Sequence, residues 1–323
     1  MKKFLISGFI CLLAYSVQAI EVVQLPLPKS DKIVVKLMFK NGSISDPQGM
    51  QGLTELTANL VAEGGTGKYT SSQIKELTYP WAARWGVSVD KEVTVFTFEY
   101  HKDHAEKMLP VLTGLILNPS MTEEDFKRVK SNQTNYVNQV IKASSDEDFS
   151  KMALEDLLFR STNYQHMVKG TTSGLELLSV SDARAHYSSY FSKANLTVGI
   201  AGNYTREYMG SLLSELEKLP VINATIAPAG KARSANGITV EIISKENALG
   251  SAVFTGFPLQ LTRRSDEFAA LMVANSWLGE HRKSYSRLYQ KIREARSMNY
   301  GDYSYIEWYN NGGQNMLPSP GYP

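Results

Sequence analysis

The sequence predicts an α+β fold built in layers. Alternating apolar runs open and close the first two thirds of the chain, and helix-period segments fill the interval between them. Between residues 222 and 237 the composition shifts to Ala, Pro, Gly, Ser and Asn, and a strand-to-helix opening then begins again. A chain of 323 residues with 43% apolar content can bury one large or two moderate cores.

The first element is a leader. Met1-Lys2-Lys3 precedes an apolar run from Phe4 to Val17, and Val17-Gln18-Ala19 supplies a small-residue cleavage pattern. This is the form of a secretory signal peptide cut after Ala19, and the run is too short to span a membrane comfortably. The expected product is exported, with the periplasm as its compartment. Cys11, the sole cysteine, leaves with the leader, so the mature fold cannot depend on disulfides or use a cysteine nucleophile. Removing Lys2 and Lys3 lowers the 34 basic residues to match the 32 acidic ones, which argues against a nucleic-acid partner.

Residues 32–40 alternate as a strand that Asn41-Gly42 ends. A helix follows from Leu53, and another over 71–85 carries Pro80 and so is interrupted. Residues 87–90 and 93–100 read as paired strands around a polar turn. Helices are expected over 105–117, 123–142, 146–161 and 181–191, a strand over 195–201, and a helix over 206–218. After the linker, residues 237–243 and 250–257 alternate as new strands, and a helix covers 266–278. The domains are therefore placed at 20–221 and 238–323, joined by 222–237.

The chemistry concentrates in Gly52-Leu-Thr-Glu-Leu-Thr-Ala-Asn-Leu-Val-Ala-Glu-Gly-Gly-Thr66. Leu53, Leu56, Leu60 and Val61 form an apolar stripe, with Glu55, Ala58, Asn59 and Ala62 on the neighbouring face. A reversed zinc motif, His-x-x-Glu-His, sets two imidazoles four residues apart on such a face, with a glutamate beside them to deprotonate a metal-bound water. Those three places here hold Glu55, Ala58 and Asn59. The frame around them, Gly-Leu-x-x-Leu before and Glu-Gly-Gly-Thr after, resembles the insulinase/pitrilysin family of zinc peptidases, of inverzincin type.

On that resemblance Glu55 and Asn59 replace the histidines, and Ala58 replaces the general base. The family's third ligand is a glutamate from a later helix, and counting on from Asn59 reaches Asn135. No carboxylate lies between Asp125 and Asp146, so a slip in the count does not restore it. Neutral amides are poor zinc donors, although Glu55, Asn59 and Asn135 remain open as a weak site for a hard cation.

The stretch from Ser286 to Tyr305 resembles the family's second-domain signature, in which an arginine and a tyrosine seven residues apart reach into the cleft. Arg293 and Tyr300 hold those places, and such a pair can grip a peptide carbonyl and steady an oxyanion. The resemblance implies tandem units, each a mixed, largely antiparallel sheet packed with helices. The second unit is much shorter than the first, as in a fragment or truncated product with an exposed, sticky core. It further implies a non-catalytic chain with no cofactor of its own, binding extended peptide as an added strand beside a zinc-bearing partner subunit. Two alternatives stay open: a peptide-binding or scaffold protein of the envelope without an enzymatic partner, and a zinc peptidase with unorthodox ligands.

Other signals carry less. His101 and His104 lack a third strong ligand nearby and read as a strand-to-helix junction. Residues 62–69 miss a phosphate loop at Ala62 and Tyr69, and leave a helix instead of entering one. His166 and His186 with the scattered serines form no nucleophile elbow.

Overall fold

The computed structural model describes residues 20–222 without a break, then 228, 230, 236–246, 250–259, 261, 265–280, 283–298, 302–304 and 306. The segment expected to be a leader, with Cys11, and Tyr300 lie outside the described residues.

Strands β1 (Glu21–Pro26), β2 (Lys32–Phe39), β3 (Arg84–Val89), β4 (Thr94–His101) and β5 (Leu196–Gly202) form one sheet in the order β1-β5-β2-β4-β3. β2 lies antiparallel to both β4 (Val35 opposite Phe98) and β5 (Val35 opposite Ile200). β1 alone runs parallel to its neighbour, Glu21 pairing with Thr197. The expected mixed, largely antiparallel sheet is thus present.

Period-two patterning decides which face is covered. Ile33, Val35, Leu37 and Phe39 of β2 are at most 1% exposed, while Lys32 and Lys36 between them face solvent. Phe96, Phe98 and Tyr100 of β4 and Val198 and Ile200 of β5 join the same apolar layer. Helices close over it: α1 (Leu53–Glu63), α2 (Ser71–Thr78), α3 (Ala105–Leu117), α4 (Glu123–Asn135), α6 (Thr172–Leu177), α7 (Val180–Tyr190) and α8 (Arg206–Leu216), while α5 (Asp146–Leu158) has no buried residue and lies off this layer. Leu56 and Leu60 of α1 and Met108 and Leu112 of α3 are fully buried in this layer. Burying each such side chain contributes on the order of 1.5–3 kcal/mol. The Phe39 ring meets Phe96 edge-on at 6.1 Å and Phe191 at 4.9 Å, and a Tyr100–Tyr208 hydroxyl bond joins β4 to α8.

Several elements depart from the sequence expectation. β1 was not foreseen, nor was the single-turn-and-a-half α6. α2 stops at Thr78 instead of reaching residue 85, because Pro80 enters a 3-10 turn over Tyr79–Trp81 and Ala82 takes a left-handed φ of 48°. Trp85 therefore belongs to β3, where its indole N–H donates to Ala62 O at 2.8 Å. The helix expected over 123–142 changes register at Tyr136 and continues as a π-helix, Tyr136–Ser144.

After residue 222 the described residues hold α9 (Phe268–Gly279) and a π-helical turn, Tyr289–Glu294, but no strand. The strands expected over 237–243 and 250–257 are absent there, although the alternation is real. Ile238, Val240 and Ile242 are 95%, 74% and 88% exposed, and no neighbouring strand among the described residues supplies a ladder. Arg160–Glu241 and Asp146–Lys245 ion pairs tie this stretch to the α5 region. No helix among the described residues is long and apolar enough to cross a membrane.

Candidate functional site

The helix that should carry metal ligands is α1, and its N-terminus is built by residues distant in sequence. Gly52 takes a left-handed φ of 101° and offers no side-chain cap. Asp46, reaching in from the preceding loop, accepts from Gly52 N at 2.7 Å, Thr54 N at 2.8 Å and Thr54 Oγ1 at 2.7 Å. A fully buried carboxylate thereby satisfies the orphan amides and meets the positive end of the helix dipole. His166 Nε2 closes on the same carboxylate at 3.1 Å. Behind Thr54, His186 Nε2 lies 3.1 Å from the threonine hydroxyl and 3.2 Å from Asn41 Nδ2. Burial lowers the His186 pKa to about 4, with Asp46 pulling weakly the other way, so the ring is neutral.

One helical turn on, the face that holds the zinc-motif positions is covered. Glu55 is 3% exposed and Ala58 is fully buried, which leaves Asn59 as the half-exposed member. Asn59 Nδ2 donates to Glu55 Oε1 at 2.9 Å and to Glu55 O at 2.9 Å. The same Oε1 forms an ion pair with Lys169 Nζ, which also lies 5.5 Å from the centre of the Tyr136 ring. Lys169 is held by its backbone: Gln133 Nε2 donates to Lys169 O at 2.9 Å and to Gly52 O at 3.0 Å. Below it Lys142 Nζ and Asn138 Oδ1 of the π-helix both grip Thr172 Oγ1. The π-helical register begins at Tyr136, which is where a widened turn meets the lysine.

Two glycines let the chain pass this closely. A Cβ on Gly170, at φ 82°, would sit 2.3 Å from Gln51 O and 2.6 Å from Gly52 Cα. Gly170→Ala should therefore cost about 2–3 kcal/mol by chemical denaturation, through the clash and the positive φ together. A loss below about 0.5 kcal/mol would show that the loop can slide away freely.

The family motif implies zinc, and the donors present do not fit it. Glu55 is one carboxylate already engaged by an ammonium and an amide, Ala58 offers a methyl group, and Asn59 presents N–H toward Glu55. Asn135 is exposed on α4, whereas Gln133 is the residue of that helix turned toward α1. Among the described residues no group of three or more His, Cys, Asp or Glu gathers to hold a metal ion.

Of the second predicted pair, Arg293 is described and Tyr300 lies outside the described residues. Arg293 sits half-buried in the Tyr289–Glu294 turn with its guanidinium 4.7 Å above the Tyr289 ring. His101 and His104 form the expected junction, His101 capping a 3-10 turn through Asp103 N and His104 stacking on Trp81 at 6.1 Å. A groove of about 650 Å³ between the 66–69 loop, α2 and α3 is lined by Tyr69, Leu77, Trp81 and Val111 and contains none of the predicted site residues.

Sequence reasoning missed Lys169, Gln133, Tyr136 and Asp46. Lys169 gives no periodic signal in its loop and meets Glu55 across 114 positions. Gln133 was within reach, since it lies two residues from the counted position.

Known proteins carry the same architecture. Residues 22–172 match the model of the insulinase family, peptidase family M16, and residues 178–317 match that of the peptidase M16 inactive domain. The chain is 24% identical over 316 residues to a Helicobacter pylori (strain ATCC 700392 / 26695) protein described as non-peptidase homolog YmxG, covering 94% of this chain and 71% of that one. It is 22% identical over 290 residues to a Bacillus subtilis (strain 168) protein described as uncharacterized zinc protease YmxG, covering 88% and 68%. In structure it is similar to a peptidase M16 inactive domain from Pseudomonas fluorescens, with a TM-score of 0.70, 17% identity and 88% and 67% of the two chains covered. It is similar also to a protease from Helicobacter pylori, with a TM-score of 0.71, 14% identity and 85% and 66% covered.

Proposed function

Because this chain belongs to the insulinase family, peptidase family M16, we propose that it is an exported, non-catalytic member that binds extended peptide and assists a zinc-bearing partner subunit in proteolysis. The observation that carries the reading is the Glu55 carboxylate, occupied by Lys169 and Asn59 beside the methyl group of Ala58. Water activation needs an open metal position and a base next to it. This helix offers neither, and the description of the Helicobacter pylori relative as a non-peptidase homolog agrees with that.

Arg293 and Tyr300 would be this chain's contribution to the shared cleft, gripping the peptide carbonyl while the partner supplies zinc and base. Mixed with a zinc-bearing M16 chain from the same source, the protein should raise peptide cleavage above the partner alone. Arg293→Ala and Tyr300→Phe should each lower the joint rate about 10- to 100-fold, the scale of one lost transition-state donor. A joint rate unchanged by both substitutions rejects the assisting role. Peptide binding without any proteolytic complex would favour the scaffold alternative instead. Export follows from the leader, and the intact mass of the periplasmic product tests cleavage after Ala19.

A further inference from the structure

The mismatch between α1 and zinc has a positive counterpart in the structure. The Lys169 ammonium stands against the Glu55 carboxylate, on the helix position of the absent first imidazole, and over the Tyr136 ring. Its main chain is fixed by Gln133 and by the Gly52–Gly170 approach, so the cation is delivered by a rigid loop. Glu55 is 3% exposed and would be a buried unpaired charge without it. Asn59 then donates to the same carboxylate oxygen, where a histidine at that position would have turned a lone pair toward a metal.

We propose that Lys169 is a tethered cation that takes the place of a metal ion at α1, so that the site is neutralised by the chain itself and rejects divalent cations. A free ion must be captured from solution and can be stripped by chelators. A lysine on a fixed loop does the electrostatic part of that task permanently, and it offers no vacancy for a water molecule to be activated.

The test rebuilds half of a metal site. Asn59→His places an imidazole four residues from Glu55, a spacing that lets both side chains reach one ion. With Lys169 present, Asn59→His should bind Zn²⁺ no more tightly than the unmodified chain in calorimetric titration. Adding Lys169→Met should tighten Zn²⁺ binding at least about tenfold, because a positive charge no longer stands within a few ångströms of the ion. Glu55→Gln in that background should abolish the gain. Equal Zn²⁺ affinity with and without Lys169, or a gain that survives Glu55→Gln, overturns the proposal.

Stability gives a second reading that does not need metal. Lys169→Met alone should lower the thermal midpoint by about 5 °C, and Glu55→Gln with Lys169→Met should recover most of it, since no unpaired charge then remains. A double variant as unstable as Lys169→Met alone overturns the proposal even if the single variant fails to fold. The unmodified chain should show the same midpoint with and without EDTA, and a midpoint lowered by EDTA counts against it.

Discussion

Lys91→Met should destabilise the protein by about 3–5 kcal/mol, the cost of removing one partner from a buried charged network. The lysine side chain is 2% exposed, and its ammonium donates to Tyr164 O at 2.9 Å and His166 O at 2.5 Å while facing Glu155 Oε2 at 3.3 Å. It comes from the tight turn between β3 and β4, so the hairpin pins down the loop that leads to Lys169. Methionine fills the volume but leaves two carbonyls and a carboxylate without their donor. Urea denaturation measures the loss, and hydrogen exchange should show residues 159–170 opening first. A change below about 1 kcal/mol would mean that the loop is fixed from its other end alone.

Acid should act through His186. Its folded pKa, about 4, lies below the ordinary histidine value of 6.5 because burial disfavours the charged ring. Between those values the unfolded chain binds a proton that the folded chain refuses, so stability rises with pH across this window. The full contribution is present above pH 6.5, and about 3 kcal/mol is lost as the pH falls to 4. His186→Gln keeps hydrogen-bonding capacity and removes the titration. Its stability curve should start lower at pH 7 and be flatter by a similar amount between pH 6.5 and 4. Parallel curves for the two proteins would assign the acid sensitivity to other groups.

What could be read from sequence divides along physical lines. The alternation of residues 32–40 and 93–100 and the stripe of Leu53, Leu56 and Leu60 gave β2, β4 and α1 because each buries one face against a large core. β1 escaped notice because it is a short edge strand whose Val23 and Leu25 stay 58% and 57% exposed, so patterning had little to report. Residues 237–243 erred in the other direction: the pattern is present, but a strand also needs a neighbour, which patterning cannot see. At the site, the absence of imidazoles at positions 55 and 59 was plain in the residues themselves. The replacement was not, since Lys169, Gln133 and Asp46 reach α1 from loops and a helix that come together only after the sheet is assembled. A count along the chain led to Asn135, while helix geometry turned Gln133 inward.

The one parallel pairing in the sheet has a consequence for how the chain matures. Among the described residues β1 pairs with β5 alone, so its place does not exist until the layered unit has been synthesised as far as Gly202. Closing so long a loop is entropically slow, and β1 must wait as a loose end while the chain between the two strands condenses. Of the five strands, β1 would thereby stay accessible for the longest time.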